Sequence, residues 1–291
     1  MELQRILVSG VAALGLSFGL SAGIARADID AGLVALEELD FEGAAAEFGA
    51  AFEGGDPDGA FYLARMTELG LGTDADPRRS AVLYAAAADA GSVRATNRLG
   101  MMYLNGEVVL QDWERAAELI CEAADGGEVN AQYNCATLYD QGRGVSPDRA
   151  TALFYYRQAA DGDHIASLNI IGSAYLQGAD VPQSDTEAAS YFSRAATQGN
   201  ALGLYAYGTL LAEGRGVSQD AILAHAFLNL AAVRGHPDAA RARDAVQLTM
   251  TNEEIGEAQA IARTWRSSAE AASEGSEGSS VVPDSNEGDS N

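Results

Sequence analysis

Apolar and small residues recur along the middle of the chain at the spacing of buried helix faces. In residues 92–127, Ala95, Leu99 and Tyr103 lie four positions apart, which places them on one stripe of a helix. The same stripe returns in the next two stretches, first as Ala131, Cys135 and Tyr139 and then as Ser167, Ile171 and Tyr175. Within residues 92–127 the pattern predicts one helix from about 93 to 105 and a second from about 112 to 125.

Glycines and alanine pairs mark the same period. Five glycines are spaced by 36 residues, and an alanine pair keeps the same step. The glycines are Gly70, Gly106, Gly142, Gly178 and Gly214, and the pairs are Ala87-Ala88, Ala123-Ala124, Ala159-Ala160, Ala195-Ala196 and Ala231-Ala232. Five copies in register are typical of a stack of identical supersecondary units. The sequence therefore predicts an all-α solenoid of antiparallel helix pairs with a 36-residue repeat.

This period divides the chain into nine segments. We expect a cleaved signal peptide, an opening helix pair, five repeats, a pair of capping helices and an acidic tail, in that order. Their predicted bounds are 1–27, 28–55, 56–91, 92–127, 128–163, 164–199, 200–235, 236–266 and 267–291. Capping units are expected at both ends because a terminal repeat has one face that no neighbour covers.

Each repeat carries signals for where its helices cross, end and begin. One position on the first helix is always alanine or glycine, which indicates that another helix crosses close by. A glycine ends the first helix because it enters the left-handed backbone region without strain. A short polar residue then precedes the second helix as its N-terminal cap. The crossing residues are Ala64, Gly100, Ala136, Gly172 and Gly208, and the caps are Asp76, Asp112, Asp148, Ser184 and Asp220.

The repeat resembles the Sel-one-like repeat family, whose short repeats are related to the tetratricopeptide repeat. The shared pattern is A-x-x-x-L-G-x-x-Y-x-x-G-x-G-V, then D-x-x-x-A, then A-A-x-x-G, over about residues 56–265. Residues 128–163 carry it almost throughout, at Ala131, Tyr139, Gly142, Gly144, Val145, Asp148, Ala152, Ala159, Ala160 and Gly162. The resemblance implies a right-handed α-solenoid that acts as a scaffold for protein–protein interaction. In bacterial members it often implies an exported protein of envelope regulation or secretion.

Some positions depart from the pattern of this family. Glu107 and Ala179-Asp180 stand where the second loop glycine is expected. Asp163 replaces the glycine that ends the second helix in other repeats, and we expect the turn to be kept because aspartate tolerates the left-handed conformation. Near the end of the chain, Thr251 and Glu254 have the spacing of a capping box.

The first 27 residues have the features of a secretory signal. Arg5 supplies a positive charge, residues 6–24 are apolar and small, and Ala25-Arg26-Ala27 is a cleavage triplet. The alternative is a single membrane anchor, because the apolar run reaches about the length that spans a bilayer. We expect cleavage between Ala27 and Asp28 and a periplasmic or secreted mature chain that is not inserted in a membrane.

The chain is strongly acidic. It has 42 acidic residues, 18 arginines and no lysine, and its formal charge of −24 becomes −25 without residues 1–27. Nucleic acid and anionic lipid repel such a chain, so neither is an expected partner. The charge fits a cationic partner or simple solubility. Residues 267–291 carry six acids and no base, and we expect a disordered tail there because this composition buries too little apolar surface.

Cys121 and Cys135 are the two cysteines of the chain. An even count in an exported chain favours a disulfide. The helices on either side of Gly126-Gly127 are expected to run antiparallel, with the cysteines one turn before Ala124 and one turn after Ala131, and so opposite each other. Cysteine-rich relatives have bridges near Ala124 and Ala131, which implies the same link displaced by one turn. The alternative is a pair of buried free thiols.

The residues of the sequence do not predict catalysis. His164, His225 and His236 lack a carboxylate, cysteine or second histidine at the spacing of a metal or triad site. The Ser-x-x-Lys and Gly-x-Ser-x-Gly motifs of serine enzymes do not occur. We therefore predict a protein that is not an enzyme and has no metal or cofactor. The resemblance leaves a β-lactam-binding or β-lactam-hydrolysing protein as an alternative, and the charge leaves a cation-responsive protein.

We predict that a monomeric chain binds a protein or extended peptide on its concave face, which the first helices line in tetratricopeptide relatives. Amide, hydroxyl and tyrosine side chains dominate this face and suit a peptide backbone. The candidate contact residues are Arg94, Asn97, Met101, Asn105, Asn130, Tyr133, Gln141, Asn169, Gln177 and Tyr205. The same face holds Leu104, Thr137, Asp140, Ala166, Ser173, Leu176, Leu202, Thr209, Ala212 and Glu213. The alternative is that these are ordinary solvated helix positions.

Overall fold

The computed structural model describes residues 29–267, and every regular element in that range is an α-helix. The opening pair is α1 (Ile29–Glu37) and α2 (Phe41–Glu53). The first helices of the five repeats are α3 (Pro57–Leu69), α5 (Val93–Asn105), α7 (Val129–Gln141), α9 (Ile165–Gln177) and α11 (Ala201–Glu213). The second helices are α4 (Pro77–Asp89), α6 (Trp113–Asp125), α8 (Arg149–Asp161), α10 (Asp185–Thr197) and α12 (Ala221–Val233). The closing helices are α13 (Ala239–Gln247) and α14 (Asn252–Thr264).

Consecutive helices pack against each other from α1 to α13. The first helices of neighbouring repeats also touch, α3 against α5 and α5 against α7, and α14 packs back onto α12. This arrangement confirms the predicted α-solenoid. We call the side that α3, α5, α7, α9 and α11 share the inner face. The predicted signal peptide, and the predicted tail after residue 267, lie outside the described residues.

The helix boundaries of the repeats follow from their capping residues. The helices of residues 92–127 span 93–105 and 113–125, as predicted. All five predicted caps of the second helices accept a hydrogen bond from a backbone N–H in the first turn. Asp163 adopts a φ of 61°, so the expected turn is kept, and the capping box of Thr251 and Glu254 is present.

The two helices of a repeat cross at the small residue that the sequence singles out. A Cβ atom added at Gly100 would lie 2.6 Å from Ile120 Cγ1 on α6. A Cβ atom at Gly172 would lie 3.1 Å from the Phe192 ring on α10. Both distances are shorter than ordinary carbon–carbon contact, so the predicted close crossing is confirmed.

The buried face of the first helix is wider than the predicted stripe. In α5, Ala95 is buried as expected, but Leu99 and Tyr103 are only half-buried. Thr96 and Met102, which the stripe omits, are buried. The difference arises because α5 packs against α4 of the previous repeat as well as against α6.

The loop of repeat 2 contains a strained residue. Gly72 and Gly144 have positive φ values of 76° and 71°, and Val108 takes the equivalent place with a φ of 69°. The departure from the glycine pattern is therefore at Val108, not at Glu107 as predicted, because 36-residue spacing from either glycine leads to 108. Asp180 is the equivalent residue of repeat 4, with a φ of 63°. A β-branched residue in this region is unfavourable.

Cys121 and Cys135 form a disulfide, so the alternative of two free thiols is not realised. The sulfur atoms lie 2.08 Å apart and the Cα atoms 5.1 Å apart. The bridge joins α6 to α7 and therefore ties repeat 2 to repeat 3. A link that closes a loop of this length contributes about 3 kcal/mol in the chain-entropy model.

Replacing Gly172 by leucine tests the helix crossing. The added side chain must displace Phe192, so we expect Gly172→Leu to lower the free energy of unfolding by about 1–3 kcal/mol. The measurement is the urea midpoint followed by circular dichroism. Gly256→Leu in α14 is the matched control, since a Cβ there meets nothing within 4 Å, and it should not destabilise the chain. A Gly172→Leu midpoint equal to that of the wild type would contradict the crossing.

Replacing Val108 by glycine should stabilise the chain. The left-handed conformation costs a non-glycine residue about 1–2 kcal/mol, and the extra chain entropy of glycine costs about 0.5–1 kcal/mol. We expect a net gain of a few tenths to about 1 kcal/mol, measured by the same urea titration. Asp180→Gly should gain less, because aspartate tolerates this conformation better. A lower midpoint for Val108→Gly would show that contacts of the valine side chain outweigh the strain.

Candidate partner-binding face

The candidate contact residues differ in their exposure on the inner face. The exposed ones are Arg94, Asn105, Asn130, Gln141 and Gln177. The half-buried ones are Asn97, Met101, Tyr133 and Tyr205. Asn169 is buried, with only 8% of its surface exposed, so it does not project from the surface as the sequence suggests.

Arg94 links repeat 2 to repeat 1. Its guanidinium donates to Asp58 Oδ2 at 2.9 Å and to the Tyr62 hydroxyl at 3.2 Å. The Ser92 hydroxyl donates to the same Asp58 carboxylate at 2.6 Å. The arginine at the start of the inner face therefore also holds neighbouring repeats together.

Two asparagines of the inner face donate to the residue that caps the next first helix. Asn97 Nδ2 lies 2.9 Å from Glu128 Oε2, and Glu128 caps α7. Asn169 Nδ2 lies 3.0 Å from Asn200 Oδ1, and Asn200 caps α11 by accepting from the backbone N–H of Gly203. Each asparagine thus fixes the position of the following repeat.

Two tyrosines at the equivalent positions pack against histidines, with the rings of Tyr133 and His164 tilted by 34° and those of Tyr205 and His236 stacked at 12°. The Tyr133 and His164 rings have centroids 4.4 Å apart, and those of Tyr205 and His236 are 4.0 Å apart. His164 caps α9, and His236 precedes α13. The sequence patterns considered above do not predict these two contacts, although a histidine follows each of the two tyrosines by 31 residues.

A cavity of about 290 Å³ lies along α9 on the inner face. Three residues predicted for the groove line it at successive turns of the helix, namely Asn169, Ser173 and Gln177. Ile170 from α9 and Leu202 from α11 add apolar surface. The cavity is open to the surface, and its volume is enough for one or two side chains of a bound segment.

At the edge of this cavity, one cationic side chain is paired with two acidic side chains. Arg149 lines the cavity, and its guanidinium donates to Asp180 at 2.9 Å and to Asp140 at 2.7 Å. The hydrogen bond with Asp180, followed by that with Asp140, raises the pKa of Arg149 above its usual value. One cation is therefore shared by two carboxylates, which leaves no net positive charge to attract an anionic ligand.

His164 is the N-terminal capping residue of α9. Its Nδ1 accepts from the backbone N–H of Ser167 at 3.3 Å, and its ring is half-buried under Tyr133. Burial lowers the pKa of His164, and the nearby Glu128 carboxylate opposes that shift. The neutral ring is the form that can accept at Nδ1.

Lowering the pH should destabilise the folded chain through the protonation of His164. Below about pH 6.5 the unfolded chain binds a proton at this residue while the folded chain resists it, so the free energy of unfolding decreases until the pH passes the lowered folded-state pKa. We expect His164→Asn, which keeps a capping acceptor, to show a shallower loss of melting temperature between pH 7.5 and pH 5. Identical slopes for both proteins would contradict this assignment.

The structure offers no obvious metal centre in the range 29–267, where no group of three or more His, Cys, Asp or Glu residues is placed to hold an ion. His225 is buried in α12, with Nε2 lying 3.3 Å from Gln247 Oε1. Across the helices from α1 to α14, none is long and apolar enough to cross a membrane.

Solved structures share this architecture. A Sel1 repeat protein from Oxalobacter formigenes is 24% identical to the chain, with a TM-score of 0.65 over 82% of this chain and 100% of that one. A protective antigen of uropathogenic Escherichia coli with an SLR fold is 23% identical, with a TM-score of 0.53 over 85% of this chain and 61% of that one. At these identities the likeness shows the fold. No curated protein matches the chain.

The Sel1 repeat family model matches the chain five times in succession. The matched residues are 57–92, 93–128, 129–164, 165–200 and 201–236. Repeats of this kind generally form scaffolds for protein–protein interaction and are generally not catalytic. The matches cover more than half of the chain and coincide with the helix pairs α3 to α12. The chain therefore belongs to the Sel1 repeat family.

Proposed function

We propose that this chain is an exported, non-enzymatic scaffold that binds a protein or an extended peptide on its inner face, in bacterial envelope regulation or in secretion. The cavity along α9 is the observation that carries the binding proposal. It is lined by hydroxyl and amide groups beside apolar side chains, which is the mixture that a peptide segment requires.

The disposition of the exposed candidates supports the same proposal. Gln141 and Gln177 are equivalent residues at the ends of α7 and α9, and both are exposed on the inner face. Side-chain amides both donate and accept, so a row of them can pair with a peptide backbone in either direction. Asn105 continues the row at the end of α5.

Site-specific crosslinking tests the binding face. A photoreactive residue at Gln141 or at Gln177 should capture the same protein in the cells that express this chain, because both positions lie along one bound segment. Arg157, exposed on α8, is the control and should give no such adduct. A protein captured from Arg157, but from neither Gln141 nor Gln177, would contradict binding on the inner face.

Export is supported by the disulfide and by the sequence of residues 1–27. A bridge between Cys121 and Cys135 persists in an oxidising compartment such as the periplasm or the extracellular medium. A cleaved signal with the triplet Ala25-Arg26-Ala27 would deliver the chain there.

The intact mass of the protein from its own cells tests export. We expect a chain that begins at Asp28 and, without reductant, contains no thiol that iodoacetamide can alkylate. After reduction, Cys121 and Cys135 should both be alkylated, which controls for access of the reagent. A chain that retains residues 1–27, or two thiols that react before reduction, would contradict the proposal.

A further inference from the structure

The loop between α5 and α6 exposes large apolar side chains to solvent. Leu110 is 90% exposed, Trp113 is 47% exposed and Val108 is 45% exposed. The backbone N–H of Asp112 donates to the Tyr103 carbonyl oxygen at 3.0 Å, which closes the loop onto the end of α5. We call Val108, Leu110 and Trp113 the loop patch.

The other repeats place polar, small or proline residues where repeat 2 has Leu110, and no aromatic residue where it has Trp113. The residues equivalent to Leu110 are Asp74, Ser146, Pro182 and Ser218, and those equivalent to Trp113 are Pro77, Arg149, Asp185 and Ala221. Val108 is equivalent to Gly72, Gly144, Asp180 and Gly216. The packing of a repeat therefore does not require a large apolar side chain at any position of the loop patch.

The loop patch carries features that are unfavourable for the isolated chain. Val108 has a φ of 69°, a conformation that is strained for a β-branched residue. Leu110 leaves nearly all of its apolar surface in water, so it gains little from folding. Backbone strain is concentrated at functional sites, and exposed apolar patches mark interaction sites.

Trp113 is positioned by the loop of repeat 3. The Arg143 guanidinium carbon lies 6.0 Å from the centroid of a Trp113 ring, within the range of a cation–π contact. The same loop passes so close to the Trp113 carbonyl oxygen that a Cβ atom on Gly144 would overlap it. Tryptophan and arginine are enriched among the residues that dominate binding energy, and a tryptophan that is already oriented loses less entropy on binding.

Acidic side chains surround the loop patch. Glu107, Asp112 and Glu114 are exposed in the loop or beside it, and Arg143 is the basic residue over Trp113. A protein surface with lysine or arginine around an apolar centre complements these charges. A second copy of this chain, which has a formal charge of −24, does not, and an anionic membrane does not either.

We propose that the loop patch is a docking site for a folded protein with an apolar cleft that is rimmed by lysine or arginine. A partner cleft is required because Leu110 projects from the loop rather than lining a hollow. Leu110 enters the cleft, Trp113 packs against its edge, and the acidic side chains meet the basic rim. The site lies apart from the cavity along α9, so the inference goes beyond peptide binding on the inner face and does not rest on it.

A photoreactive residue in place of Gln111, which is exposed between Leu110 and Asp112, tests the site in the cells that express this chain. We expect an adduct with one folded protein, joined to it at an apolar cleft with basic residues at the rim, as located by mass spectrometry. Absence of an adduct, or an adduct at an acidic surface, would overturn the proposal.

The captured protein is then purified and titrated against the chain that begins at Asp28. Leu110→Ser, which introduces the residue of repeat 3, should weaken binding about tenfold or more. Val108→Gly should weaken binding by a smaller factor while it raises the urea midpoint of the free chain. Opposite changes in binding and stability separate a docking role from a structural one. Unchanged binding for Leu110→Ser would contradict the assignment.

Phe154→Ser is the matched control. Phe154 is another large apolar side chain that is 54% exposed, but it lies on α8, and the equivalent residue of repeat 4 is Ser190. Binding to this variant should stay within about twofold of the wild type. An equal loss for Phe154→Ser and Leu110→Ser would show general hydrophobic association and would overturn the site.

Three further results would overturn the assignment of the partner. The first is a dimer of this chain that Leu110→Ser abolishes, measured by analytical ultracentrifugation. The second is binding to phosphatidylcholine vesicles that the same substitution abolishes. The third is binding of the captured protein that does not weaken as the salt concentration rises, because rim charges are screened by salt. Each of these results leaves the proposed peptide site on the inner face in place.

Discussion

The close crossing of two helices in each repeat is the constraint on which the whole architecture depends. At Gly100 and Gly172 a Cβ atom would lie within about 3 Å of the partner helix, so the repeat closes only around a residue without a large side chain. A pair packed this tightly buries one face and leaves another for the next pair to cover. Stacking of successive repeats then follows, and the first helices come to share the inner face.

The register between repeats depends on polar and aromatic contacts rather than on apolar packing alone. Asn97, Tyr133, Asn169 and Tyr205 occupy one position of successive repeats, and each contacts a residue 31 positions further on. These asparagine and tyrosine side chains, which could contact a peptide, already make contacts that hold neighbouring repeats together. Asn169, whose Oδ1 has no hydrogen-bond partner within residues 29–267, lines the cavity along α9.

Much of this fold can be predicted from the sequence, because the signals are local. A 36-residue period, an aspartate such as Asp112 before the second helix and a glycine after the first define where helices begin and end. The disulfide follows from the hairpin geometry around Gly126-Gly127. The burial of Asn169 cannot be predicted this way, because it depends on how repeat 5 is rotated against repeat 4. The positive φ of Val108 is visible only by alignment with Gly72 and Gly144.

Hydrogen–deuterium exchange of the chain with and without its crosslinked partner tests the central claim most directly. The account predicts slower exchange in α7, α9 and α11 on binding, with the largest change around residues 169–177. It predicts that exchange in α8 and α10 stays unchanged, except at residues that touch α7, α9 or α11. Protection confined to α4, α6, α8 and α10, with an unchanged inner face, would contradict the account.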